Sequence, residues 1–322
     1  MRKGGVLAIV NPASSSGRTL RRWPALKSAL VDALGEVEIR TTDGPGHATL
    51  LTRRGLEGGA GLVISIGGDG TNCEVLGGFV DDAGRNRFPE AELGLLHSGT
   101  GGDFLRHLGR RSAVDAIAAL ASGPAVTIDY GVASFVDTQG RPTTRPFLNV
   151  ASAGLSGLVD ELVRRPNRWL GPAATYVLGS VRGLMEYVAR PVQITVDGGE
   201  PVTMPLALAV MANGQYFGGG MWIAPRARCD DGLLDVLYTP GRSRPGMVGL
   251  LAKVFRGAHV DVDSVTSTRG RAVELRCVDD HDVVLIDLDG EQPGRLPARF
   301  HIEPGALRVR AAGLPEPARL RD

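Results

Sequence analysis

The length and composition of the chain exclude several broad classes of protein. Its 322 residues are 43% hydrophobic and 22% charged, which is enough to bury a core without disulfide bonds and excludes a disordered chain. The 36 basic and 35 acidic residues leave a net charge of +1, so no overall field favours nucleic acid as a partner. The 3 scattered cysteines form no CxxC pair. With no signal peptide or membrane-spanning segment predicted, we expect a reducing, cytoplasmic location.

The first 125 residues alternate strand-like and helical patterns. Short apolar, β-branched runs predict strands at Val6–Val10, Val37–Arg40, Leu62–Ile66 and Leu93–Leu96. Helical patterns cover Thr19–Leu34, His47–Leu56, Thr71–Val80 and Ala113–Ala121, the last with Ser112 and Asp115 as a capping pair. This alternation predicts a parallel sheet with helices on both faces, whose ligands lie at the carboxyl ends of the strands.

From Val126 the pattern changes to successive strands. They are predicted at Val126–Phe135, Phe147–Ala151, Val192–Val196, Leu206–Met211, Leu233–Tyr238, Ala272–Arg276, Val283–Leu288 and Phe300–Ile302. Helices are predicted at Ala173–Val188 and Pro245–Phe255. We therefore expect an antiparallel sandwich or barrel. The predicted domains are 1–125 and 126–303, followed by a C-terminal strand and tail at 304–322, for which a return to the first domain is left open.

The strongest chemical signal is a glycine-rich turn, Gly67-Gly68-Asp69-Gly70-Thr71, directly after a predicted strand. Glycines let the backbone approach a ligand closely, and their N–H groups together with the following helix N-terminus favour an anion. A carboxylate in such a loop suits a phosphate site when a divalent cation lies between the two groups. A tight turn with a capping aspartate is the alternative interpretation.

Two further loops at predicted strand ends have a similar construction. Ser98–Phe104 is rich in glycine and contains Asp103, and Asn11–Arg18 is rich in hydroxyl groups. The sequence contains no Gly-Lys-[Ser/Thr], so neither loop is a Walker A motif, and the G-x-G-x-x-G spacing of dinucleotide enzymes is also missing. Together the loops predict one shared phosphate site.

These motifs resemble the diacylglycerol kinase catalytic family, which includes bacterial lipid kinases, sphingosine kinases and ceramide kinases. The resemblance runs nearly end to end. It rests on Asn11–Gly17, Gly67–Val75, Gly99–Phe104, Asn149–Leu155, Gly218–Met221, Ile223–Pro225, Asp230–Val236, Asp289–Glu291 and Pro304–Val309. It implies an N-terminal α/β Rossmann-like, NAD-kinase-like domain followed by a β-sandwich domain, and a kinase that depends on ATP and Mg²⁺.

The resemblance also implies roles for individual residues. The nucleotide-binding set is Asn11, Gly17, Thr42, Gly67, Gly68, Asp69, Gly70, Thr71, Gly99, Thr100 and Asp103. Asp69 and Asp103 would order Mg²⁺ and water near the phosphates, so Asp69 also counts as catalytic. Asp231, with the carbonyl groups of Arg228 and Leu233, matches a second, structural Mg²⁺ site. Glu291, with Asp289 beside it, matches the general-base region, and either carboxylate could be the base.

The pair Asp289 and Glu291 has two interpretations from spacing alone. Residues two apart on an extended segment point the same way, so both carboxylates could face the active site. Asp-Gly is also a common turn dipeptide, which favours a hairpin instead.

The sequence departs from the family pattern in three places. Asn72-Cys73 replaces Leu-Asn, Gly102 stands where asparagine is common, and Cys229 stands where proline is usual. The first change alters what braces the phosphate loop. The second removes either a nucleotide contact or a contact that supports one, and the third changes the surroundings of the structural metal site.

The favoured function is transfer of the γ-phosphoryl group of ATP to a lipid hydroxyl, with diacylglycerol giving phosphatidic acid. A ceramide or sphingoid-base kinase is the first alternative, followed by an NAD kinase and a catalytically silent lipid- or nucleotide-binding protein. We expect the protein to associate peripherally with a membrane surface that presents the lipid, and we expect no nucleic acid partner. Whether it forms a homodimer is left open. Head groups could contact the basic cluster Arg164, Arg165, Arg168 and Trp169, for which a solvated loop is the alternative.

Overall fold

A computed structural model describes residues 4–97, 102–109, 112–163, 182–183, 186–241 and 243–310. The chain forms two compact units. The N-terminal unit comprises the described residues of Met1–Tyr130 and Pro304–Glu316, and the C-terminal unit comprises those of Gly131–Glu303. The predicted helix at Ala173–Val188 and the basic cluster at Arg164–Trp169 lie wholly or largely outside the described residues.

The N-terminal unit alternates strands and helices, as predicted. Its strands are β1 (Gly5–Val10), β2 (Glu38–Thr41), β3 (Ala60–Gly67), β4 (Glu92–His97) and the first part of β5 (Ala125–Asp137). Its helices are α1 (Ser14–Leu34), α2 (His47–Glu57), α3 (Asp69–Phe79), α4 (Asp103–His107) and α5 (Ala113–Ser122). The Ser112 side chain accepts the Asp115 N–H, which confirms the predicted cap of α5.

The central sheet of this unit is parallel, with strand order β2-β1-β3-β4. Its middle strands are apolar runs because helices cover both faces. Leu62, Ile64 and Ile66 of β3 are buried with Leu30 and Leu120 from the helices. Parallel pairing brings the carboxyl ends of the strands to one edge of the sheet.

The last described segment of the chain adds a strand to this sheet. Arg308 and Val309 pair in parallel with Glu92 and Leu93 of β4. Glu92 is buried, and its carboxylate accepts hydrogen bonds from Arg308 at 3.3 Å and from Arg310 at 2.6 Å. A buried carboxylate is thus neutralised by arginines that follow it by more than 200 residues.

The C-terminal unit is built mainly of antiparallel strands. In chain order it contains the rest of β5, β6 (Pro142–Phe147), β7 (Val150–Gly154), α6 (Leu155–Val163), β8 (Arg190–Val196), β9 (Val202–Ala212), β10 (Tyr216–Phe217), β11 (Met221–Trp222), β12 (Leu234–Pro240), α7 (Arg244–Val254), β13 (Thr266–Gly270), β14 (Ala272–Cys277), β15 (Leu285–Leu288) and the first part of β16 (Glu291–Arg310), up to Glu303.

Strand pairing in this unit forms a closed circuit. The pairs run from β9 through β7, β15, β16, β14 and β8 back to β9. The long strands β9 and β16 exchange one neighbour for another along their length, which joins the two layers of a sandwich. Buried Phe147, Met211 and Phe300 lie in the core between the layers.

Two local features of this unit differ from prediction. Strand Phe147–Ala151 is interrupted at Leu148-Asn149, because the N–H groups there bond to a side chain instead of a neighbouring strand. Helix α6 was not predicted, because Leu155–Val163 directly continues a strand pattern. The predicted helix Pro245–Phe255 is confirmed as α7. No helix in the described part of the chain is both long and apolar enough to cross a bilayer.

Candidate active site

The loops that carry the predicted nucleotide-binding residues follow the carboxyl ends of the strands in the N-terminal sheet. Val10 is level with Thr41 and Ile66, and Gly67 is level with His97. The Asn11 N–H donates to the Ile66 carbonyl at 3.0 Å, and the Thr42 N–H donates to the Val10 carbonyl at 2.9 Å. The loops after β1, β2, β3 and β4 therefore start side by side.

Asn11 connects the first loop to the glycine-rich turn. Its Nδ2 donates to Thr71 Oγ1 at 3.0 Å, and its Oδ1 accepts the Ala13 N–H at 3.0 Å. A Cβ at Gly67 would collide with the Thr71 side chain, so glycine is required for α3 to start this close to its strand. Gly17, with φ 77°, lies in the first turns of α1.

Residues of the glycine-rich motif also brace its surroundings. The Ser65 hydroxyl donates to Asn72 Oδ1 at 2.7 Å in a buried pair. Asn72, one of the departures from the family pattern, thus ties α3 to the preceding strand. Glu74 accepts the N–H groups of Gly46 at 2.8 Å and Ala48 at 3.2 Å. Glu74 thereby holds the N-terminus of α2, just after the loop that carries Thr42.

Asp69 is the first residue of α3, and its carboxylate has two different environments. Oδ2 accepts the Asp103 N–H at 3.0 Å, whereas Oδ1 is buried and has no hydrogen-bond partner among the described residues. Burial raises the pKa of Asp69, against the lowering effect of backbone N–H groups of Asp103 and Phe104. A buried anionic oxygen without a donor fits Mg²⁺, which proteins hold through one or two carboxylates plus phosphate oxygens.

Asp103 begins α4 and is buried, and Arg106 Nη1 lies 3.1 Å from its Oδ1. The sequence analysis missed this ion pair. Its signal in the sequence was the spacing of three residues, which places Asp103 and Arg106 one helical turn apart. The role of Asp103 toward Mg²⁺ stays a prediction. Gly99 and Thr100, also predicted to contact the nucleotide, lie outside the described residues.

His97, at the end of β4, packs between two glycines of the site. A Cβ at Gly102 would lie 3.1 Å from His97 Cγ, and one at Gly68 would lie 3.8 Å from Cε1. Gly102 has φ 111°, so asparagine there would be both strained and crowded, which explains this departure from the family pattern. Within the described ranges, both ring nitrogens of His97 are buried without a hydrogen-bond partner, and burial lowers its pKa.

In the C-terminal unit, Asp289 and Gly290 form a hairpin turn. Leu288 pairs with Glu291, which leaves a two-residue loop, and the φ angles are 51° at Asp289 and 86° at Gly290. Positive φ at both positions is the geometry that Asp-Gly favours. The expectation that an extended segment points both carboxylates the same way is therefore wrong, because the chain reverses between them.

The Asp289 carboxylate is held by the main chain of an interrupted strand. Oδ2 accepts the Leu148 N–H at 2.7 Å, and Oδ1 accepts those of Asn149 at 3.0 Å and Val150 at 2.9 Å. Three backbone donors on one buried carboxylate fix the hairpin to this strand. Glu291, at the start of β16, is half-buried. Which of the two carboxylates acts as base stays a prediction.

The predicted structural metal site around Asp231 already contains a positive side chain. Arg269 Nη1 lies 3.6 Å from Asp231 Oδ2, and its Nε lies 3.4 Å from Asp235. Asp231 Oδ1 accepts the Leu233 N–H at 3.1 Å, and the Arg228 side chain pairs with Asp230. A cation would have to share Asp231 with the guanidinium, so these residues fit a resident Mg²⁺ poorly. Within the described residues, no three His, Cys, Asp or Glu side chains form a group that could hold a metal.

Thermal unfolding with and without a chelator tests the site at Asp231. We expect EDTA to leave the Tm of the wild-type protein unchanged, because Arg269 supplies the charge that a cation would supply. A cation at 100 times its Kd would add about 2.7 kcal/mol to the free energy of unfolding. In Arg269→Ala we expect Mg²⁺ to raise the Tm, since the carboxylates then lack a counter-charge. A fall of the wild-type Tm in EDTA that Mg²⁺ reverses would support the metal site instead.

The environment of Asp235 leads us to expect that the free energy of unfolding depends on pH. Burial raises the pKa of Asp235 from 3.8 to about 6, with Arg269 acting in the opposite direction. The folded state therefore binds this proton more tightly than the unfolded state, and this contribution to stability is lost as the pH rises through about 6. Asp235→Asn should raise the free energy of unfolding by up to about 3 kcal/mol near pH 7.5 and by little near pH 4. Denaturant unfolding at both pH values measures it; equal effects at the two would contradict the assignment.

The C-terminal unit also contains an apolar pocket with a volume of about 70 Å³. Its walls come from α6 (Leu155, Val159), from α7 (Met247, Leu250, Leu251, Val254) and from strands between them. Ser156 and Thr239 also line it, but nearly all of the lining surface is apolar. A pocket with this lining can take a short apolar segment of a ligand.

The chain thus combines an α/β unit, whose glycine loops follow the strands of a parallel sheet, with an antiparallel sandwich unit. The family model of the diacylglycerol kinase catalytic domain matches residues 5–133, and that of the YegS C-terminal NAD kinase beta sandwich-like domain matches residues 149–311. The chain belongs to the diacylglycerol kinase family, and it is an enzyme of the lipid kinase class.

Relatives match over nearly the whole chain. A Mycobacterium tuberculosis protein (strain CDC 1551 / Oshkosh) named diacylglycerol kinase is 30% identical, covering 95% of this chain and 94% of that protein. A Pseudomonas aeruginosa protein (strain UCBPP-PA14) named probable lipid kinase YegS-like is 30% identical, covering 96% and 95%. Solved structures of a Bacillus anthracis str. Sterne protein described as a diacylglycerol kinase share the fold. Two of these structures have TM-scores of 0.75 and 0.66 at 22% and 20% sequence identity. Each match covers 97% of this chain and 98% of the chain in the solved structure.

Proposed function

We propose that this lipid kinase transfers the γ-phosphoryl group of ATP to the free hydroxyl of diacylglycerol, giving phosphatidic acid and ADP. The observation that carries the proposal is Asp69, with its buried, unpaired Oδ1 beside the glycine-rich turn. This combination can hold a phosphate-bound cation where the backbone of Gly67 and Gly68 approaches the ligand.

The nucleotide side of the reaction rests on the N-terminal unit. Backbone N–H groups of the glycine-rich turn and the N-terminus of α3 would bind phosphate oxygens. Asn11 and Thr71 would keep this turn in place through their mutual hydrogen bond. Mg²⁺, held by Asp69, would neutralise charge on the phosphates.

The acceptor side needs a group that takes the hydroxyl proton as the oxygen bonds to phosphorus and the bond to ADP breaks. Glu291 is the better candidate for this base. Asp289 is anchored by three backbone N–H groups, so it has less freedom to take a proton. In this proposal Asp289 is a positioning residue that fixes the hairpin carrying Glu291.

A lipid acceptor is supported by the apolar pocket beneath α7, which can take part of an acyl chain. Diacylglycerol is favoured over ceramide and sphingoid bases because the Mycobacterium tuberculosis relative is named diacylglycerol kinase. The NAD kinase alternative has no comparable use for an apolar pocket. We place the enzyme in the cytoplasm, in peripheral contact with a membrane.

Product analysis tests the proposal. The purified protein is incubated with γ-labelled ATP and Mg²⁺ and, in separate reactions, with diacylglycerol, ceramide, sphingosine or NAD. We expect label in phosphatidic acid alone, with Asp69→Asn as the inactive control. Label in ceramide phosphate, sphingosine phosphate or NADP would replace the proposed acceptor by that compound. Absence of label in every reaction would contradict the assignment of the active site.

A further inference from the structure

Helix α7 has two apolar faces with different surroundings. Met247, Leu250 and Val254 face inward and line the apolar pocket. Val248 on the opposite face is 45% exposed, and Phe255, directly after the helix, is also 45% exposed. Small exposed residues, Gly249 and Ala252, lie between them. Among the described residues, helix α7 alone separates this side of the pocket from solvent.

The charged residues of the same segment are all basic. From Arg242 to Val260 the sequence contains four basic residues and no aspartate or glutamate. Lys253 and Arg256 are exposed, and neither has an ion pair with a residue of the described ranges. In a chain with a net charge of +1 and 35 acidic residues, such a segment is a local positive patch.

Exposed apolar side chains beside basic ones form a surface that an anionic membrane interface can bind, because the apolar groups enter the interface and the charges attract the lipid. We propose that the outward face of α7, defined by Val248, Lys253, Phe255 and Arg256, docks on the surface of a bilayer containing anionic phospholipid. The inference rests on the proposed function, because docking there would bring the pocket wall to the source of the lipid substrate. Charge complementarity favours the anionic bilayer over an uncharged one.

Vesicle co-sedimentation tests the docking face. Phosphatidylcholine vesicles with and without phosphatidylserine serve as probes, and we expect the wild-type protein to bind the anionic vesicles with an affinity that falls with salt. K253E/R256E should weaken this binding by about 20-fold or more. V248S/F255S should weaken it by about 10-fold, because two exposed apolar groups no longer enter the interface.

Matched controls keep the test specific. R145E/R271E makes the same change in net charge at exposed arginines elsewhere in the C-terminal unit, and V278S/V283S removes two valines that are 60% and 54% exposed. Both controls should bind anionic vesicles like the wild-type protein, and thermal unfolding confirms that all four variants fold. Wild-type binding by K253E/R256E, or an equal loss in R145E/R271E, would overturn the proposal.

The face could instead join two copies of the chain. Light scattering distinguishes this outcome: a wild-type dimer that V248S/F255S converts to a monomer with unchanged vesicle binding would also overturn the proposal.

Turnover measurements separate docking from catalysis. On a short-chain diacylglycerol below its critical micelle concentration, the docking variants should keep the wild-type kcat/KM, and on vesicle-borne diacylglycerol they should lose it. Wild-type protein that binds vesicles but phosphorylates neither form would contradict the proposed function alone.

Discussion

Asp69→Asn is expected to lower kcat by about 10³-fold at saturating ATP and Mg²⁺, since a fixed charge that neutralises a transferring phosphoryl group contributes several kcal/mol to catalysis. Asparagine keeps an oxygen that can accept the Asp103 N–H, now at 3.0 Å from Oδ2. It removes the charge that Oδ1 presents. Burial raises the pKa of Asp69 in the folded state, so the neutral side chain should leave the Tm unchanged or raise it.

The measurement is kcat together with thermal unfolding of the same preparation. Asp82→Asn, at an exposed aspartate of the same unit, controls for the loss of one negative charge and should keep full activity. A normal kcat in Asp69→Asn would contradict the proposal that Asp69 holds a cation. A low kcat with a strongly lowered Tm would mean that Asp69 acts through the fold.

Glu291→Gln and Asp289→Asn are expected to separate the base from the residue that positions it. Glutamine keeps the shape of Glu291 but cannot take a proton, so kcat should fall by about 10²- to 10⁴-fold with the Tm unchanged. In Asp289→Asn the side-chain NH₂ would face one of three backbone N–H donors. The free energy of unfolding should therefore fall by about 3 kcal/mol, since hydrogen bonds to a charged group are the strong ones.

Steady-state kinetics and denaturant unfolding of both variants test this division. The opposite pattern, with a stable, inactive Asp289→Asn and an active Glu291→Gln, would make Asp289 the base. If both variants phosphorylate diacylglycerol at the wild-type rate, the turn is only a hairpin and the catalytic assignment fails.

The elements of the N-terminal unit, apart from the short helix α4, were predictable because each one carries its own local signal. The buried strand β3 is a continuous apolar run, and glycines directly after it start α3. The same pattern placed Asp69 and Thr71 at the carboxyl edge of a sheet. The parts of the site that depend on short sequence distances were therefore visible without a structure.

Contacts between distant segments were not predictable in the same way. The Asp289 carboxylate meets N–H groups that precede it by 139 to 141 residues, and no periodicity reports such a contact. Arg269 reaches Asp235 across 34 residues. The resemblance to a kinase family drew attention to Asp289 and Asp231, but only the three-dimensional contacts show that backbone donors and an arginine already bind them.

The pairing of Glu92 with Arg308 and Arg310 has a consequence for the order in which the protein is made. A ribosome finishes the segment up to Arg110 long before it reaches Arg310, so the nascent N-terminal unit holds a carboxylate whose partners do not yet exist. Burying that charge alone is costly, so β4 should stay incompletely packed until Arg308 and Arg310 have been made. The nucleotide-binding edge would then mature only after the segment up to Arg310 has emerged, and a chain cut short before Arg308 would be released with this unit unfinished.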